Sequence, residues 1–211
     1  MPNILSYISF TPPPSPTEVL FETFYESLDG FLTQNLGSGL IDFIPGGIRL
    51  SSWGSPSSGA WLKKILDYHP LALSWLKKRS IVAKLSVSIE DTTSWENYLS
   101  AGDFMDPTLG FGFRFAPSGI KGWCSNGGSK NEITLIDYMM PPWAINAKFE
   151  AIFYPGEKVV FFINDVLKGQ LTSELPTGDS LANYLLGLEV YSNGAATNII
   201  QTSYARMIQW I

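Results

Sequence analysis

The chain has 211 residues, 45% of them hydrophobic and 14% aromatic, which supplies one large core and excludes a chain held unfolded by low hydrophobicity. Charged residues are only 16% and the net charge is −5, so the surface must be rich in Ser, Thr, Asn, Gly and exposed rings, and a phosphate-backbone binder built on clustered Lys and Arg is disfavoured. One cysteine, Cys124, and one histidine, His69, exclude an internal disulfide and a Cys/His zinc site.

The chain opens on an apolar stretch holding Ile4, Leu5, Tyr7, Ile8 and Phe10. Thr11-Pro12-Pro13-Pro14-Ser15-Pro16 follows, fixing φ at four positions and removing four N–H donors. Residues 1–17 therefore read as an extended apolar arm on a stiff hinge, and residues 18–211 as the folded domain. The start lacks the basic and long apolar regions of a secretory signal, and no apolar run reaches the about 18 residues of a membrane span. The expectation is synthesis in the cytoplasm, after which the chain either stays where it is made or leaves by another route such as lysis, with a virion surface as the candidate destination.

From Val19 onward the texture is short apolar or alternating runs broken by Gly, Pro, Asn and Ser, with no sustained helical stripe and no internal repeat. Predicted strands are 19–25, 47–51, 60–66, 81–89, 110–115, 132–138, 147–153, 158–163, 166–172, 185–192 and 202–210. In 81–89, Ala83, Leu85, Val87 and Ile89 face one way and Lys84, Ser86 and Ser88 the other, the pattern of a half-buried antiparallel strand. In 110–115 three phenylalanines share a face, and the alternating glycines leave the other open to a close neighbour or a ligand. The runs 158–163 and 166–172 flank Asn164-Asp165, residue types that tolerate positive φ, and so form a hairpin with a two-residue turn. Lys63-Lys64 and Lys77-Lys78-Arg79 are short enough to be solvated strand ends.

Three passages resemble one family. Phe21-Glu22-Thr23-Phe24-Tyr25-Glu26-Ser27-Leu28-Asp29-Gly30-Phe31 with Gly47-Ile48-Arg49-Leu50-Ser51 looks like an opening strand, turn and second strand. The stretch 154–167 looks like the family hairpin, with Asp165 where a glycine is usual. Leu188 through Ser192 and Tyr204-Ala205-Arg206-Met207-Ile208 look like the paired closing strands. Together they resemble the concanavalin A-like lectin/glucanase superfamily, jelly-roll sandwiches that include laminin-G-like modules and phage and viral surface proteins. The resemblance implies an all-β, two-sheet antiparallel sandwich carrying the N-terminal arm, and speaks to fold far more than to function.

For catalysis, a retaining glycosidase needs two carboxylates about 5 Å apart, which sandwich glucanases place at alternate positions of one strand. That pattern is absent: Glu90 and Asp91 are adjacent, Glu96 falls between strands, and Glu150 and Glu189 stand alone on theirs. His69, before Pro70, has no nucleophile-elbow partner. Cys124 lacks an adjacent base and reads as a half-buried inert thiol. No Gly-rich phosphate loop is present. Calcium has oxygen donors at Asp103 and Asp106 and at Asn164-Asp165 but no full ligand set, and turn formation explains both loops; no cofactor is expected.

The seven tryptophans carry the most functional promise. Trp75 follows an apolar run and belongs to the core. Trp53, Trp95, Trp123 and Trp143 sit in Gly/Ser/Pro-rich segments read as loops, where each ring either packs over the core or stacks on a sugar or protein surface. Trp95 with Tyr98, and Trp123 with Asn126, form the candidate ligand site. The expected function is a non-enzymatic structural, assembly and binding module of a virion, as a capsid decoration, surface or tail protein. Its partners would be copies of itself or capsid and tail subunits, met through Ile4, Leu5, Tyr7, Ile8 and Phe10. The alternatives are a carbohydrate-binding lectin-like module, and a glycoside hydrolase or lyase of the same fold.

Overall fold

A computed structural model describes residues 17–23, 31–52, 57–65, 75–90, 97–102, 109–138, 140–177, 184–192 and 197–210. Among them the chain is strand and turn, without helix. In chain order the strands are β1 (Thr17–Thr23), β2 (Phe31–Leu36), β3 (Leu40–Ile44), β4 (Gly47–Ser52), β5 (Ser58–Ile65), β6 (Arg79–Ile89), β7 (Tyr98–Gly102) and β8 (Gly110–Ala116), then β9 (Gly119–Ser125), β10 (Lys130–Asp137), β11 (Trp143–Tyr154), β12 (Lys158–Ile163), β13 (Val166–Leu171), β14 (Tyr184–Ser192) and β15 (Asn198–Trp210). Sheet A runs β13, β12, β11, β6, β15, β4, β3, with β1 also paired to β15; sheet B runs β10, β9, β8, β7, β14, β5, β2, and every pairing is antiparallel. The first half of β15 pairs with β4 and the second half with β1, and its register against β6 shifts between Thr202 and Tyr204.

The two sheets face each other through the apolar positions that period-two alternation assigns to one side. On β6, Ile81, Ala83, Leu85, Val87 and Ile89 are all buried, while Lys84 is exposed. Across the core, Phe111, Phe113 and Phe115 of β8 meet rings from sheet A. Phe113 lies edge-on to Phe149 at 5.2 Å and to Phe161 at 5.5 Å, and Phe111 stacks on Phe153 at 5.7 Å. These offset and edge-to-face contacts are the arrangements aromatic quadrupoles favour. Gly122 of β9 sits under Phe161, where an added Cβ would lie 2.7 Å from the ring.

Asn164 and Asp165 close the β12–β13 hairpin at φ 51° and 63°, as the sequence predicts, and Asn164 Oδ1 accepts a bond from the Lys148 backbone N–H at 2.9 Å. Trp75 is buried, edge-on to Phe111 and Phe153. One expectation fails here. Arg79 is no solvated strand end but 1% exposed, its guanidinium 4.9 Å from the Trp75 ring and its Nε donating to Gln209 Oε1 at 3.0 Å. Burial lowers its pKa to about 10. Lys78 Nζ lies over the Tyr154 and Trp210 rings at 4.7 and 4.1 Å, so aromatic faces rather than water alone meet its ammonium.

The sequence reading omits β2, β3, β7 and β9. β9 is the instructive one: Gly119-Ile120-Lys121-Gly122-Trp123-Cys124-Ser125 reads as a loop because two of its seven residues are glycine, yet Gly122 is there to admit Phe161. The arm residues Ile4, Leu5, Tyr7, Ile8 and Phe10, and with them Trp53, Trp95, His69, Asp91, Glu96, Asp103 and Asp106, lie outside the described residues.

Candidate functional site

With Phe111, Phe113 and Phe115 turned into the core, the pleat turns Gly110, Gly112 and Arg114 to the outer face of sheet B. The strand registers then align one row straight across that face: Gln34 opposite Trp61, Trp61 opposite Glu189, Glu189 opposite Tyr98, Tyr98 opposite Arg114, Arg114 opposite Lys121 and Lys121 opposite Thr134. A second row runs Gly187, Ser100, Gly112, Trp123, Glu132, and a third holds Gly110, Ser125 and Lys130. Seven strands thus present rings, amides and charges on one surface.

Gly112 decides the local packing. It lies on β8 opposite Ser100 of β7 and Trp123 of β9, where a Cβ would run into the β7 backbone, 2.1 Å from the Leu99 carbonyl oxygen and 2.8 Å from Ser100 Cα, and on the same face the Tyr98 and Trp123 rings meet edge-on at 5.9 Å. Gly110 is close to β7 in the same way, since a Cβ there would lie 2.4 Å from the Ala101 carbonyl oxygen and, next, 3.3 Å from Trp123 Cη2. Lys130 Nζ caps both rings, 4.8 Å from the centre of Tyr98 and 5.4 Å from that of Trp123, and donates to Tyr98 Oη at 2.8 Å. Glu132 accepts from Arg114 Nη1 at 3.1 Å on each oxygen, and is also met by Lys121 at 3.3 Å and Lys130 at 3.1 Å. Burial alone would raise the Glu132 carboxyl, but Arg114, Lys130 and Lys121 outweigh it and hold it below the ordinary carboxylate range. Two buried polar atoms on this face, Ser100 Oγ and Trp123 Nε1, have no hydrogen-bond partner.

The structure therefore brings together two predicted ligand residues, Tyr98 and Trp123, but not as loop residues. Both lie on strands and are 2% exposed, so they form a floor on which ion-pairing side chains stand. Asn126 is exposed just past Trp123 and works as a turn former, its Oδ1 accepting from Gly128 N at 2.9 Å and Ser129 N at 3.0 Å. Trp143 is likewise on a strand, buried, stacked on Tyr138 at 4.7 Å and donating to the Pro117 carbonyl at 3.0 Å. Sequence reasoning missed Gln34, Trp61, Arg114, Lys121, Lys130 and Glu132 as one surface. The available signal was outward alternation within strands, such as Leu188-Glu189-Val190, but without β7 and β9 the row has no middle.

Other candidates resolve differently. Cys124 is fully rather than half buried, its Sγ 3.2 Å from the Ser173 carbonyl, and its pKa is pushed up to about 12 by burial and then by Glu174. The Asn164–Asp165 oxygens engage Lys148, whose ammonium lies 2.5 Å from Asp165 Oδ1 and 3.6 Å from Glu150. Among the described residues no group of three His, Cys, Asp or Glu is placed to hold a metal. Glu132 and Glu189 share the outer face but stand four strand spacings apart, roughly 19 Å at ~4.8 Å each, well beyond the about 5–9.5 Å of a glycosidase pair. On the outer face of sheet A, a separate cavity of about 240 Å³ opens between the Ile44-Pro45-Gly46 turn and Lys84, Asn146 and Gln201.

Two antiparallel sheets packed face to face make a jelly-roll sandwich, here with a row of rings and charges on the outer side of one sheet. Comparison with solved structures finds that fold repeatedly. The chain matches an endo-β-1,4-glucuronan lyase from the fungus Trichoderma reesei with a TM-score of 0.61 at 6% identity, covering 90% of this chain and 95% of that one. It matches a carbohydrate esterase from the Shiga toxin-encoding bacteriophage phi24B with a TM-score of 0.56 at 13% identity, covering 92% and 99%. A third match is botulinum neurotoxin type C, whose entry into cells depends on interaction with two ganglioside molecules; the TM-score is 0.55 at 10% identity, and this chain, over 84% of its own length, spans only 42% of that one. No protein-family profile matches the sequence, and no curated protein does.

Proposed function

We propose that the protein is a non-enzymatic binding module that holds a glycan chain across the outer face of sheet B. The observation behind this reading is the row from Gln34 and Trp61 through Glu189 and Tyr98 to Arg114 and Lys121. It mixes an indole, an amide, carboxylates and cations, the groups that stack on sugar faces and bond their hydroxyls. Trp61 is half-buried, its Nε1 donating to Gln34 Oε1 at 2.9 Å, so the ring is held in a fixed pose. The carbohydrate recognition domain of Emp46p, similar in fold at a TM-score of 0.58, supports the reading by analogy only. Titration of intrinsic fluorescence with an oligosaccharide panel tests it. Trp61→Ala should weaken binding by tenfold or more, and absence of binding to every sugar at millimolar concentration ends the reading. Turnover of any glycan by pure protein ends the non-enzymatic part.

A virion surface or tail is the setting we favour, and assembly the companion role. Two sheet edges, β2 and β3, lie side by side and expose Leu32, Leu40 and Phe43 at 45%, 39% and 54%. Edge strands with apolar side chains invite pairing with another chain. Sedimentation of Leu32→Lys/Phe43→Lys should show a smaller species than the parent. An unchanged distribution, together with unchanged assembly after deletion of residues 1–16, removes the assembly role.

A further inference from the structure

We infer that the cavity on the outer face of sheet A is a second binding site, independent of the sheet B face, and that it takes a hydroxylated carboxylate the size of one acidic sugar unit. The backbone makes the hollow. Among the described residues β15 pairs with β4 as far as Thr202 and with β1 only from Ala205 onward, and its register against β6 shifts between Thr202 and Tyr204. Ser203 is therefore a bulged residue at the point where one neighbouring strand has ended and the next has not begun. Thr202 Oγ1 donates to the Tyr204 carbonyl at 3.2 Å across the bulge. β4 starts hard against it, since a Cβ on Gly47 would lie 2.1 Å from the Thr202 carbonyl oxygen. The Pro45-Gly46 turn before β4, with Gly46 at φ 81°, stands as one wall of the cavity.

Asn146 of β11, Ser86 of β6 and Gln201 of β15 stand in one row across the cavity, roughly 10 Å wide at ~4.8 Å per strand spacing, and Lys84 stands two residues along β6, roughly 7 Å away. The volume of about 240 Å³ equals that of about eight water molecules, which suits one sugar ring rather than a chain. Lys84, Asn146 and Ser203 are exposed and Ser86 and Gln201 half-buried, so a ligand reaches all of them. None of these side chains makes a hydrogen bond or ion pair among the described residues. The charged side chains around them are matched: Arg49, next in the row after Gln201, with Asp42 at 2.8 Å, and Lys148, directly opposite Lys84, with Glu150 and Asp165. No Asp or Glu lines the cavity, which leaves the Lys84 ammonium as its charge. Like charges at facing strand positions repel, and an anion beside Lys84 relieves its opposition to Lys148. One ammonium balances a monovalent carboxylate and leaves a phosphate dianion half compensated. Two amides and two hydroxyls offer donors and acceptors together, the complement of a ring carrying several hydroxyls.

The experiment titrates full-length protein with galacturonate, galactose and acetate by heteronuclear NMR, so that charge and hydroxyls are tested together and apart. Galacturonate should shift the backbone amides of Gly46, Ser86, Gln201 and Ser203 and bind about tenfold more tightly than galactose or acetate at about 20 mM salt, its lead over galactose shrinking at about 500 mM. Lys84→Gln should bring galacturonate down to the level of galactose, Lys84→Arg should keep the preference, and Asn146→Ala should weaken both sugars alike. Thermal melting checks that each variant folds, and the comparison of ligands needs no variant. A digalacturonate that shifts the same amides marks the unit as a chain end, and binding of the monosaccharide alone marks it as a free acid. Acetate binding as tightly as galacturonate makes Lys84 an ordinary ion contact and overturns the inference. Absence of shifts at these amides, or shifts confined to sheet B, overturns it as well. Lys84 and Asn146 lie on the opposite sheet from Trp61, so oligosaccharide binding that Trp61→Ala weakens should survive their substitution, and the two sites stand or fall separately.

Discussion

Gly122→Ala tests whether the fit between the sheets is as tight as the aromatic layer implies. The added Cβ would sit 2.7 Å from Cδ2 and Cε2 and 2.8 Å from Cγ of Phe161, closer than real Cβ contacts come. Phe161 has nowhere simple to go, because it is fully buried and already edge-on to Phe113 at 5.5 Å. Overpacking of this kind costs about 1–3 kcal/mol, against which the better strand propensity of alanine returns a few tenths. In a domain of this size that is a fall in Tm of roughly 3–9 °C. Urea denaturation followed by tryptophan fluorescence reads it as a lower midpoint at unchanged slope. Phe161→Leu in the same chain should recover part of the loss, since the two sites are in contact and must couple. A Gly122→Ala protein within 0.5 kcal/mol of the parent would refute the packing argument, because then the layer has slack that the 2.7 Å approach denies.

The Cys124 thiol, with its pKa pushed up to about 12, should be nearly inert to alkylation at pH 8 in native protein and react promptly in denaturant; fast native labelling measured by mass spectrometry would contradict the burial. Glu132 is held below its ordinary pKa in the folded state, so its contribution is fully present above the unfolded carboxyl value of about 4.3 and lost as pH falls through the lower folded value. Urea stability measured between pH 2 and 6 should therefore decline less steeply toward acid for Glu132→Gln than for the parent. Asp165→Gly should raise stability by up to about 1 kcal/mol, because glycine adopts φ 63° without strain, while the exposed Lys148 pair that it removes is worth little. A lower melting temperature would mean that the ion pair outweighs the turn.

The parts of the fold legible in sequence are those where side-chain period and backbone agree. In β6 every second residue is aliphatic, and in the β12–β13 hairpin two runs flank a pair of residues that accept positive φ, so each announces its own structure. β2 and β3 escape notice because they are edges: Thr33, Gln34 and Asn35 are exposed, and a strand with little to bury has little hydrophobic pattern. The Lys77-Lys78-Arg79 cluster misleads for the opposite reason. Charge predicts solvent, but Arg79 finds an aromatic face in Trp75 and an amide in Gln209, and so can be buried.

The candidate site is harder still, because the residues that make it are the ones that erase the pattern. Gly110 and Gly112 are small because the β7 backbone comes close to both, with the Trp123 ring next to Gly110, which leaves β8 without an outward signature between its phenylalanines. Gly122 is small so that Phe161 can reach it from the opposite sheet, which makes β9 look like a loop and makes Trp123 look like a loop tryptophan. Gly110 and Gly112 answer to a neighbouring strand and Gly122 to a ring of the opposite sheet, partners that lie far away in sequence. The alternation of Gly and Phe from Gly110 to Phe115 does mark an open outer face; what fills it is written in strands that the same logic conceals. The ion-pair group follows once the register is known, since Arg114, Lys121 and Thr134 fall in one row and Glu132 in the next, within reach of both cations.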